Sequence, residues 1–381
     1  MSTNGTLFTN IVQPLGEALK KVTLSKKSIG PDDFELLKVV GKGGYGKVFQ
    51  ARKRDDRQIY ALKVVKKPTK KKDLKHLEDE RKVLEHVKSP FLCEMMFSFE
   101  VENKLYLVLE FLPGGELFTL LNKKTQLDEE ASRFYLAEIT LALEHLHDNN
   151  VIYRDLKPDN IMLDKNGHIK LTDFGLSKFN IRKGHCTETF CGTIEYMAPE
   201  ILNKTPYGHS VDIWALGVVM YDMLTGGPPF YGNTDAEQID NIKRGKIPMP
   251  SHISPDGKIV LKNLLIRSPH KRAAIADIKK LAFFEGVDWD KLQIRDFEPP
   301  FKPAIQNEED VSQFDTIFTN LPPEESPFKP LNVEEGKNQF SEFDYTGPVN
   351  NNESNNKLLN KPKSNAARKL VTIQDTRNNN L

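Results

Sequence analysis

The spacing of apolar residues changes at Gly114–Gly115, and this change most constrains the fold of the chain. Four short segments precede the two glycines, and each is rich in Val, Leu or aromatic residues and bounded by glycine or charged clusters. In order they are FELLKVVG, KVFQARKR, IYALKVV and KLYLVLEF. Segments of this length and composition favour strands of an antiparallel sheet. The longer segment KKDLKHLEDERKVLEHV lies among them and has apolar residues at helical spacing, which predicts one helix beside the sheet.

After the two glycines the apolar pattern becomes helical. Leu136, Ile139, Leu143 and Leu146 lie on one face of a predicted long helix. The segment DIWALGVVMYDML, residues 212–224, is apolar nearly all round, which predicts a helix buried on every side. The predicted fold class is therefore α+β and bilobal, with a small lobe built on an antiparallel sheet and a larger, mainly helical lobe.

Composition divides the chain into four regions, the second of which, residues 34–284, contains both lobes. Residues 1–33 form a mixed, polar N-terminal extension. The small lobe is expected over about 34–111 and the large lobe over about 112–284. Residues 285–346 are Pro-rich and acidic, which predicts an extended segment, and residues 347–381 are polar and Asn-rich, which predicts disorder.

The balance of charge excludes some classes of partner. Lys and Arg number 54 against 53 acids, so no global field favours nucleic acid or a membrane surface. The basic segment KKPTKKKDLK lacks interleaved aromatic residues and is interpreted as a solvated face.

Three cysteines are too few for a disulfide framework and favour a reducing compartment. With no signal peptide and no apolar run of about 20 residues, we expect a cytoplasmic protein, with the nucleus as a second location.

A glycine-rich motif follows the first predicted strand. The segment GKGGYGKV, residues 41–48, fits the pattern G-x-G-x-x-G-x-V. It leads into a predicted strand, whereas a dinucleotide-binding loop leads into a helix. Glycines between two strands let backbone amides approach phosphates without side-chain obstruction. An ordinary glycine-rich hairpin would give the same motif, so this signal is weak by itself.

A lysine in the third predicted strand strengthens the phosphate hypothesis. Lys63 lies in an apolar segment, where an ammonium group is costly unless it is paired. Glu80 in the following predicted helix is a candidate partner that would hold the ammonium toward phosphate oxygens. The alternative is a solvent-facing lysine on an edge strand.

The segment VIYRDLKPDN concentrates charged residues between Val151 and Asn160. Thirteen residues after Asn160 comes Asp173, and the apolar residues between them alternate as in a hairpin, which would bring the two close together. An amide oxygen and a carboxylate suit Mg²⁺ that already carries nucleotide phosphates. Asp155 is placed to face an attacking hydroxyl, and Lys157 to neutralise the group in transfer, which together indicate phosphoryl transfer.

Taken together, these motifs resemble a eukaryotic protein kinase over residues 34–284, in the order of that family. The segment MAPE, which ends at Glu200, belongs to the same pattern, and Arg272 is placed to pair with Glu200. Tyr153 stands where the family usually has His before Arg-Asp, and this Tyr is typical of the AGC kinases.

The resemblance implies roles for individual residues. Asp155 would be the catalytic base, Lys157 would contact the transferred phosphate, and Asn160 and Asp173 would hold Mg²⁺. Lys63 would hold the α and β phosphates of ATP. The implied ATP-binding residues are Gly41, Lys42, Gly43, Gly44, Tyr45, Gly46, Val48, Ala61, Lys63, Glu80, Glu110 and Leu112, with Leu109 at the back of the adenine pocket.

The segment GHCTETFCGTIEYMAPE resembles an AGC activation segment, with Thr189 at the position that an upstream kinase phosphorylates. A phosphate there would add nearly two negative charges. Arg154 is the natural clamp for it, and Lys178 and His76 occupy family positions that also reach it. The alternative is that Thr189 is an ordinary loop threonine.

Three acids match positions that bind basic residues of substrates in relatives. They are Glu116, Asp159 and Asp222. The resemblance therefore implies Ser/Thr protein substrates with Arg or Lys several residues before the acceptor. The alternative for each acid is a solvated surface charge, and Asp159 is shorter than the usual Glu of the family.

The Pro-rich region resembles the C-terminal extension of AGC kinases, especially the ribosomal S-six kinases. Phe314 would lie near the nucleotide, and Ser326 matches the turn-motif phosphorylation site. Phe340 and Phe343 match the hydrophobic motif, which would dock beside the small-lobe helix. Asp344 replaces the usual Ser or Thr, and its carboxylate offers one permanent charge where phosphate brings about two. We therefore expect the hydrophobic motif to dock in part without phosphorylation.

Two other functions fit parts of the sequence. One is a nucleotide-binding scaffold that acts through docking surfaces, which the complete set of Asp155, Asn160 and Asp173 disfavours. The other is a small-molecule kinase of related fold, which the MAPE segment and the substrate-reading acids disfavour. The sequence favours a ribosomal-protein-kinase-like growth-signalling enzyme that uses ATP and Mg²⁺ and transfers phosphate in line to a protein hydroxyl.

Overall fold

The computed structural model of the chain describes residues 29–43, 46–68, 70–325 and 343–347, without the side chains of Lys71 and Lys72. A six-stranded antiparallel sheet forms the small lobe in the order β1-β2-β3-β5-β4-β8. Its strands are β1 (Phe34–Gly43), β2 (Gly46–Lys53), β3 (Ile59–Lys66), β4 (Met95–Val101), β5 (Lys104–Glu110) and β8 (Tyr345–Thr346). The four strands predicted from the sequence are confirmed.

Two strands of this sheet were not predicted. In β4 the pairing with β5 shifts register between Met95 and Phe97, which interrupts the alternation of buried and exposed residues. Strand β8 has two residues, too few to give a pattern, and pairs Tyr345 with Ser98 and Thr346 with Phe97. It returns from the far end of the chain to close the outer side of β4.

The predicted small-lobe helix is α1 (Lys71–His86). Its apolar face includes Leu77, Val83 and Leu84, all buried in the main core. Because those side chains share one face of the helix, Glu80 is carried toward the sheet, where it is buried as well.

The large lobe is helical, as predicted. Its helices are α2 (Leu117–Lys124), α3 (Glu129–Asp148), α4 (Pro199–Leu202), α5 (Ser210–Thr225), α6 (Asp235–Arg244), α7 (Pro255–Leu264) and α8 (Ile275–Ile278). Asp128 caps α3 by accepting a hydrogen bond from the Ala131 amide over 2.8 Å. Helix α5 is buried from Val211 to Leu224, which agrees with its nearly uniform apolar sequence, and it ends at Gly226 with a φ of 80°.

A two-stranded hairpin lies between the lobes. It consists of β6 (Ile161–Leu163) and β7 (Ile169–Leu171), paired antiparallel as predicted. Asn160 directly precedes β6, and Asp173 lies two residues after β7. The hairpin therefore brings these two side chains to the same end of the structure.

The C-terminal extension was expected to be extended, but it contains two short helices. They are α9 (Trp289–Gln293) and α10 (Thr316–Thr319). The extension contacts the large lobe through an Arg295–Asp164 ion pair of 3.0 Å. Farther along, Phe314 stacks on Phe111 with ring centroids 5.6 Å apart. The predicted disordered tail lies outside the described residues, except for Gly347, and so does the N-terminal extension up to residue 28.

All three cysteines are free. Within the part of the chain that the structure describes, no helix is both long enough and apolar enough to cross a membrane.

Candidate active site

A cleft of about 210 Å³ lies between the sheet and the large lobe, and is called the inter-lobe cleft below. The predicted residues that line it are Gly41, Val48, Ala61, Lys63, Glu80, Leu109, Glu110, Leu112, Glu116, Asp159, Asn160, Asp173 and Phe314. Phe111, between Glu110 and Leu112, and Phe174, directly after Asp173, line it as well. The motifs did not indicate five further lining residues, namely Val40, Leu84, Cys93, Met162 and Thr172. These are apolar or small side chains that reach the cleft from five separate parts of the chain, so no local pattern marks them.

The glycine-rich motif borders a second cavity of about 400 Å³, which shares Val48, Lys63, Glu80 and Asp173 with the inter-lobe cleft. Gly43 and Gly46 line it. A Cβ on Gly46 would lie 1.9 Å from the Val64 carbonyl oxygen, so only glycine fits there. Lys42 is exposed on β1 and lines neither cavity. The predicted Gly44 and Tyr45 lie outside the described residues.

Lys63 joins the two lobes at the base of the cleft. Its Nζ lies 2.7 Å from Glu80 Oε1 and 2.9 Å from Asp173 Oδ1. Burial opposes the charged ammonium, but the carboxylates of Asp173 and Glu80 outweigh it and raise the pKa of Lys63. Lys63 in turn lowers the pKa of Asp173, which keeps that carboxylate ionised. Burial raises the pKa of Glu80 against the opposing effect of Lys63.

Asp155 is held through both of its carboxylate oxygens, by its own loop and by Thr193. Asn160 Nδ2 donates to Asp155 Oδ2 over 2.8 Å, and Thr193 Oγ1 donates to Asp155 Oδ1 over 3.1 Å. Lys157 Nζ lies 3.2 Å from Asp155 Oδ2 and donates to Thr193 Oγ1 over 2.9 Å. Thr193 was missed in the sequence because it lies 38 residues away, in the activation segment. The carboxylate is thereby fixed in one orientation.

Asp212 of α5 supports the same loop from below. Its oxygens accept hydrogen bonds from the amides of Tyr153 over 2.9 Å and Arg154 over 2.8 Å. His147 Nε2 also lies 2.8 Å from Asp212. Arg154 has a φ of 70°, an uncommon conformation that these bonds help to hold. Asp212 was not predicted, although an acid in an otherwise apolar buried helix was the available signal.

Asn160 and Asp173 are suited to a magnesium ion. Asp173 is ionised and half-exposed to the cleft. Asn160 uses Nδ2 for Asp155, and no described residue donates to its Oδ1. The described residues contain no cluster of three or more His, Cys, Asp or Glu side chains that would enclose a metal by itself. One carboxylate and one amide oxygen fit a cation whose remaining ligands are phosphates and water.

The activation segment places Thr189 beside a group of cations and hydroxyls. Thr189 Oγ1 lies 3.5 Å from Thr187 Oγ1, which accepts from Lys178 Nζ over 2.7 Å. Arg154 Nη1 donates over 3.2 Å to the Tyr207 hydroxyl, which donates to the Thr189 carbonyl over 2.6 Å. The bridging residues Thr187 and Tyr207 were not predicted, since neither stands in a motif.

The charges around Thr189 favour an anion. Burial and the nearby charges of Arg154 and Lys75 lower the pKa of Lys178. A phosphate on Thr189 would stabilise the charged form of Lys178, which these effects destabilise. His76, the other predicted cation, lines the cavity under the glycine-rich motif.

Two of the three predicted substrate-reading acids lie together. Glu116 and Asp159 both line the inter-lobe cleft and a neighbouring cavity of about 590 Å³, which also contains Asp315. Burial and the carboxylates of Asp159 and Asp315 raise the pKa of Glu116 to about 7. Asp222 accepts a hydrogen bond from the Tyr196 hydroxyl over 2.7 Å, and burial raises its pKa. The first pair therefore presents concentrated negative charge beside the cleft.

The hydrophobic-motif region packs against the small lobe. Phe343 is 2% exposed, and its carbonyl accepts from Ser98 Oγ over 2.6 Å. The guanidinium of Arg81, on α1, lies 5.9 Å from the centre of the Phe343 ring. Asp344 is exposed, and its Oδ1 accepts from the Glu100 amide over 3.3 Å. Phe340 and Ser326 lie outside the described residues.

Comparison with known proteins identifies the domains. The protein kinase domain matches residues 34–284, and the protein kinase C-terminal domain matches residues 305–345. "Ribosomal protein S6 kinase beta" of Caenorhabditis elegans is 49% identical over 331 residues, which cover 84% of this chain and 60% of that protein.

Two further relatives are similar over most of the chain. Human "Ribosomal protein S6 kinase alpha-3" is 47% identical over 306 residues, covering 78% of this chain and 41% of that protein. "Serine/threonine-protein kinase SCH9" of Candida albicans is 46% identical over 306 residues, covering 77% of this chain and 39% of that protein. The chain thus spans between about two fifths and three fifths of the length of these relatives. It belongs to the protein kinase family, in the AGC group and its ribosomal S6 kinase branch.

Proposed function

We propose that this chain is a serine/threonine protein kinase that transfers the γ-phosphoryl group of ATP to protein hydroxyls. The observation that carries the proposal is that Lys63, Asp155, Asn160 and Asp173 converge on the inter-lobe cleft and the adjoining cavity under the glycine-rich motif, with Lys63 bonded to Asp173 and Asn160 bonded to Asp155. Phosphoryl transfer depends mainly on positioning and on charge stabilisation, and these four side chains supply both.

Each residue has a distinct part in the proposed reaction. Lys63, oriented by Glu80, binds the α and β phosphates. Asp155 orients the acceptor hydroxyl and takes its proton, and Lys157 places a positive charge beside the transferred group. Asn160 and Asp173 would hold Mg²⁺, which neutralises phosphate charge when bound. Because Asp155 is already held by Asn160 and Thr193, the loop needs no rearrangement to present its carboxylate.

The adenine end of the cleft is formed by apolar side chains and by the linker, defined as residues 110–112. Val48 and Ala61 line it from the sheet, and Leu109 precedes the linker. Phe314 of the C-terminal extension also lines the cleft and stacks on Phe111. A flat purine ring would bury apolar area there, which favours a nucleotide over a small charged phosphate donor.

The proposed acceptors are Ser or Thr residues of proteins with Arg or Lys several positions upstream. Glu116 and Asp159 support this, because no described cation forms an ion pair with either carboxylate. A guanidinium or ammonium group of the substrate would relieve their mutual repulsion. Asp222 would read a further basic residue.

We further propose that an upstream kinase activates the chain at Thr189 and that Ser326 is a second phosphorylation site. The cations around Thr189 support the first of these. We propose a division into an N-terminal extension (1–33), a kinase domain (34–284), an extension with turn and hydrophobic motifs (285–346) and a tail (347–381). The location that the free thiols support is the cytoplasm, with the nucleus as a second site.

A transfer assay with radiolabelled ATP tests the activity. The full chain, phosphorylated at Thr189, is incubated with a peptide that has Arg upstream of Ser. Asp155→Asn should reduce transfer by about 10²- to 10⁴-fold while the calorimetric affinity for ATP stays within about twofold. A wild-type chain that binds ATP and transfers nothing to any basic peptide would support a nucleotide-binding scaffold instead. Transfer to free sugars or amino acids would support a small-molecule kinase.

A further inference from the structure

A partly buried ion pair connects the linker to the strand that leads to Asp173. Lys170 lies in β7, three residues before Asp173, and its Nζ is bonded to Glu110 Oε1. Lys170 and Glu110 have 11% and 27% of their side chains exposed. Glu110 lines the inter-lobe cleft, whereas Lys170 does not, and neither side chain takes part in the proposed phosphate transfer.

The pair belongs to a larger network, called the linker network and consisting of Lys170, Glu110, Glu94 and Leu92. Glu110 Oε1 also accepts from the Glu94 amide over 2.8 Å, and the Glu110 amide donates to the Glu94 carbonyl over 2.9 Å. Lys170 Nζ reaches the Leu92 carbonyl over 3.4 Å. One carboxylate therefore joins the linker, the segment before β4 and strand β7.

Backbone bonds make this connection stiff on the β7 side. The Leu171 amide donates to Phe91 and the Cys93 amide donates to Leu171, each over 2.9 Å. Apolar packing is incomplete there, because a cavity of about 340 Å³ opens beside the network and is lined by Lys170, Glu94 and Lys88. Polar contacts thus supply much of what fixes the linker at this point.

We propose that Lys170 and Glu110 act as positioning residues for nucleotide binding. They hold residues 110–112, which line the adenine end of the cleft, at a fixed distance from β7 and hence from Asp173. A preordered linker lowers the entropy cost of binding the nucleotide. The inference rests on the proposed kinase function, and it assigns the network to affinity for the nucleotide and not to the transfer step.

The predicted signature is a change in KM for ATP without a change in kcat. Lys170→Met should raise KM for ATP and the calorimetric Kd for ADP about five- to tenfold, with kcat for peptide within about twofold. Lys170→Arg keeps the charge and should keep both values within about twofold of the wild type. Lys88→Met is the matched control, since Lys88 lines the same cavity but lies outside the linker network, and its pair with Glu94, of 3.6 Å, is exposed.

A second variant protects the test against misfolding, because removing one member of a partly buried pair leaves the other charge without its partner. If Lys170→Met melts below the assay temperature, the double variant Lys170→Met/Glu110→Met is used, because it replaces both charges with apolar groups. It should show the same rise in KM for ATP and in Kd for ADP. Folded variants with unchanged KM and Kd would overturn the proposal, and so would a fall in kcat with unchanged Kd. A chain inactive toward all peptides would contradict the proposed kinase function. The Kd for ADP would still test the role of Lys170 and Glu110, because ADP titration needs no phosphate transfer.

Discussion

Asn160 donates through Nδ2 to both Oδ2 and the backbone carbonyl of Asp155, each over 2.8 Å. One end of the amide therefore orients the proposed catalytic base, while the other end remains for a cation shared with Asp173. A single side chain links the acceptor side of the site to the phosphate side.

Replacement of Asn160 by Asp should separate these two tasks. A carboxylate at 160 would still offer oxygens to a cation, but it would face Asp155 with like charge and no donor. We expect kcat to fall at least tenfold, about 1.4 kcal/mol in the barrier, while ATP affinity at saturating Mg²⁺ stays within about threefold. Steady-state kinetics with calorimetry would measure both, and an unchanged kcat would show that the hydrogen bond to Asp155 is dispensable.

The raised pKa of Glu116 predicts a pH dependence of substrate choice. With a pKa of about 7, Glu116 is largely neutral at pH 6 and largely ionised at pH 8. We therefore expect kcat/KM for a peptide with upstream Arg to rise about three- to tenfold between these pH values, relative to a peptide without upstream basic residues. Glu116→Gln should remove the difference between the two profiles. Parallel profiles for both peptides in the wild type would contradict the role of Glu116.

The same shift has a consequence for folding stability. Because the pKa of Glu116 is raised above its usual 4.5, the folded state binds more protons than the unfolded state between about pH 4.5 and 7. The contribution of Glu116 to stability is thus complete below this range and is lost as the pH rises through it. Glu116→Gln should reduce the fall in the free energy of unfolding between pH 5 and pH 8, which urea denaturation at the two pH values would measure.

Phosphorylation of Thr189 should act through Lys178 and Arg154. We expect the phosphorylated chain to exceed Thr189→Ala about tenfold in kcat, with a smaller effect on KM for ATP, because the phosphate orders a segment that contains Thr193. Lys178→Met should lose much of this gain. Cys186→Ser, an exposed position in the same segment, serves as the control and should leave the gain intact. An equal gain in wild type and Lys178→Met would refute the assignment of Lys178.

The ion pair between Arg272 and Glu200 should be essential to folding of the large lobe. Its two bonds are 2.7 and 3.0 Å long, and the side chains are 0% and 4% exposed. Removal of one partner leaves a buried charge, so Arg272→Ala should cost about 3–5 kcal/mol in the free energy of unfolding. Arg244→Ala, which removes an exposed pair with Asp240, should cost under about 1 kcal/mol. Urea denaturation at equilibrium would compare the two variants.

Asp344 should contribute modestly to activity. Its carboxylate accepts from the Glu100 amide over 3.3 Å and lies next to buried Phe343. With Thr189 phosphorylated, Asp344→Ala should lower kcat about two- to threefold, while Phe343→Ala should lower it more, because the latter also removes a buried ring. An unchanged rate in Asp344→Ala would count against partly built-in docking at the hydrophobic motif.

Residues with local patterns were predictable from the sequence. Four strands and the hairpin before Asp173 follow from alternation within short segments, and the main helices follow from spacing. Lys63, Glu80, Asp155 and Asn160 stand at motif spacings that phosphate chemistry requires, and the structure brings them to two adjoining cavities.

Residues that act through contacts between distant segments were not predictable in the same way. Thr193 and Asp212 reach the loop around Asp155 from 38 and 59 residues away, and Tyr207 bridges Arg154 to Thr189. Strand β8 pairs with a partner more than 240 residues earlier. Tertiary packing alone selects these contacts, so no propensity or period within one segment reveals them.

Strand β8 also affects association between folded molecules. Without Tyr345 and Thr346, the outer N–H and C=O groups at Phe97 and Ser98 would be open to a strand from a second molecule. The end of the C-terminal extension thus protects this edge of the sheet from aggregation. A chain cut before Phe343 should therefore be less soluble in concentrated solution.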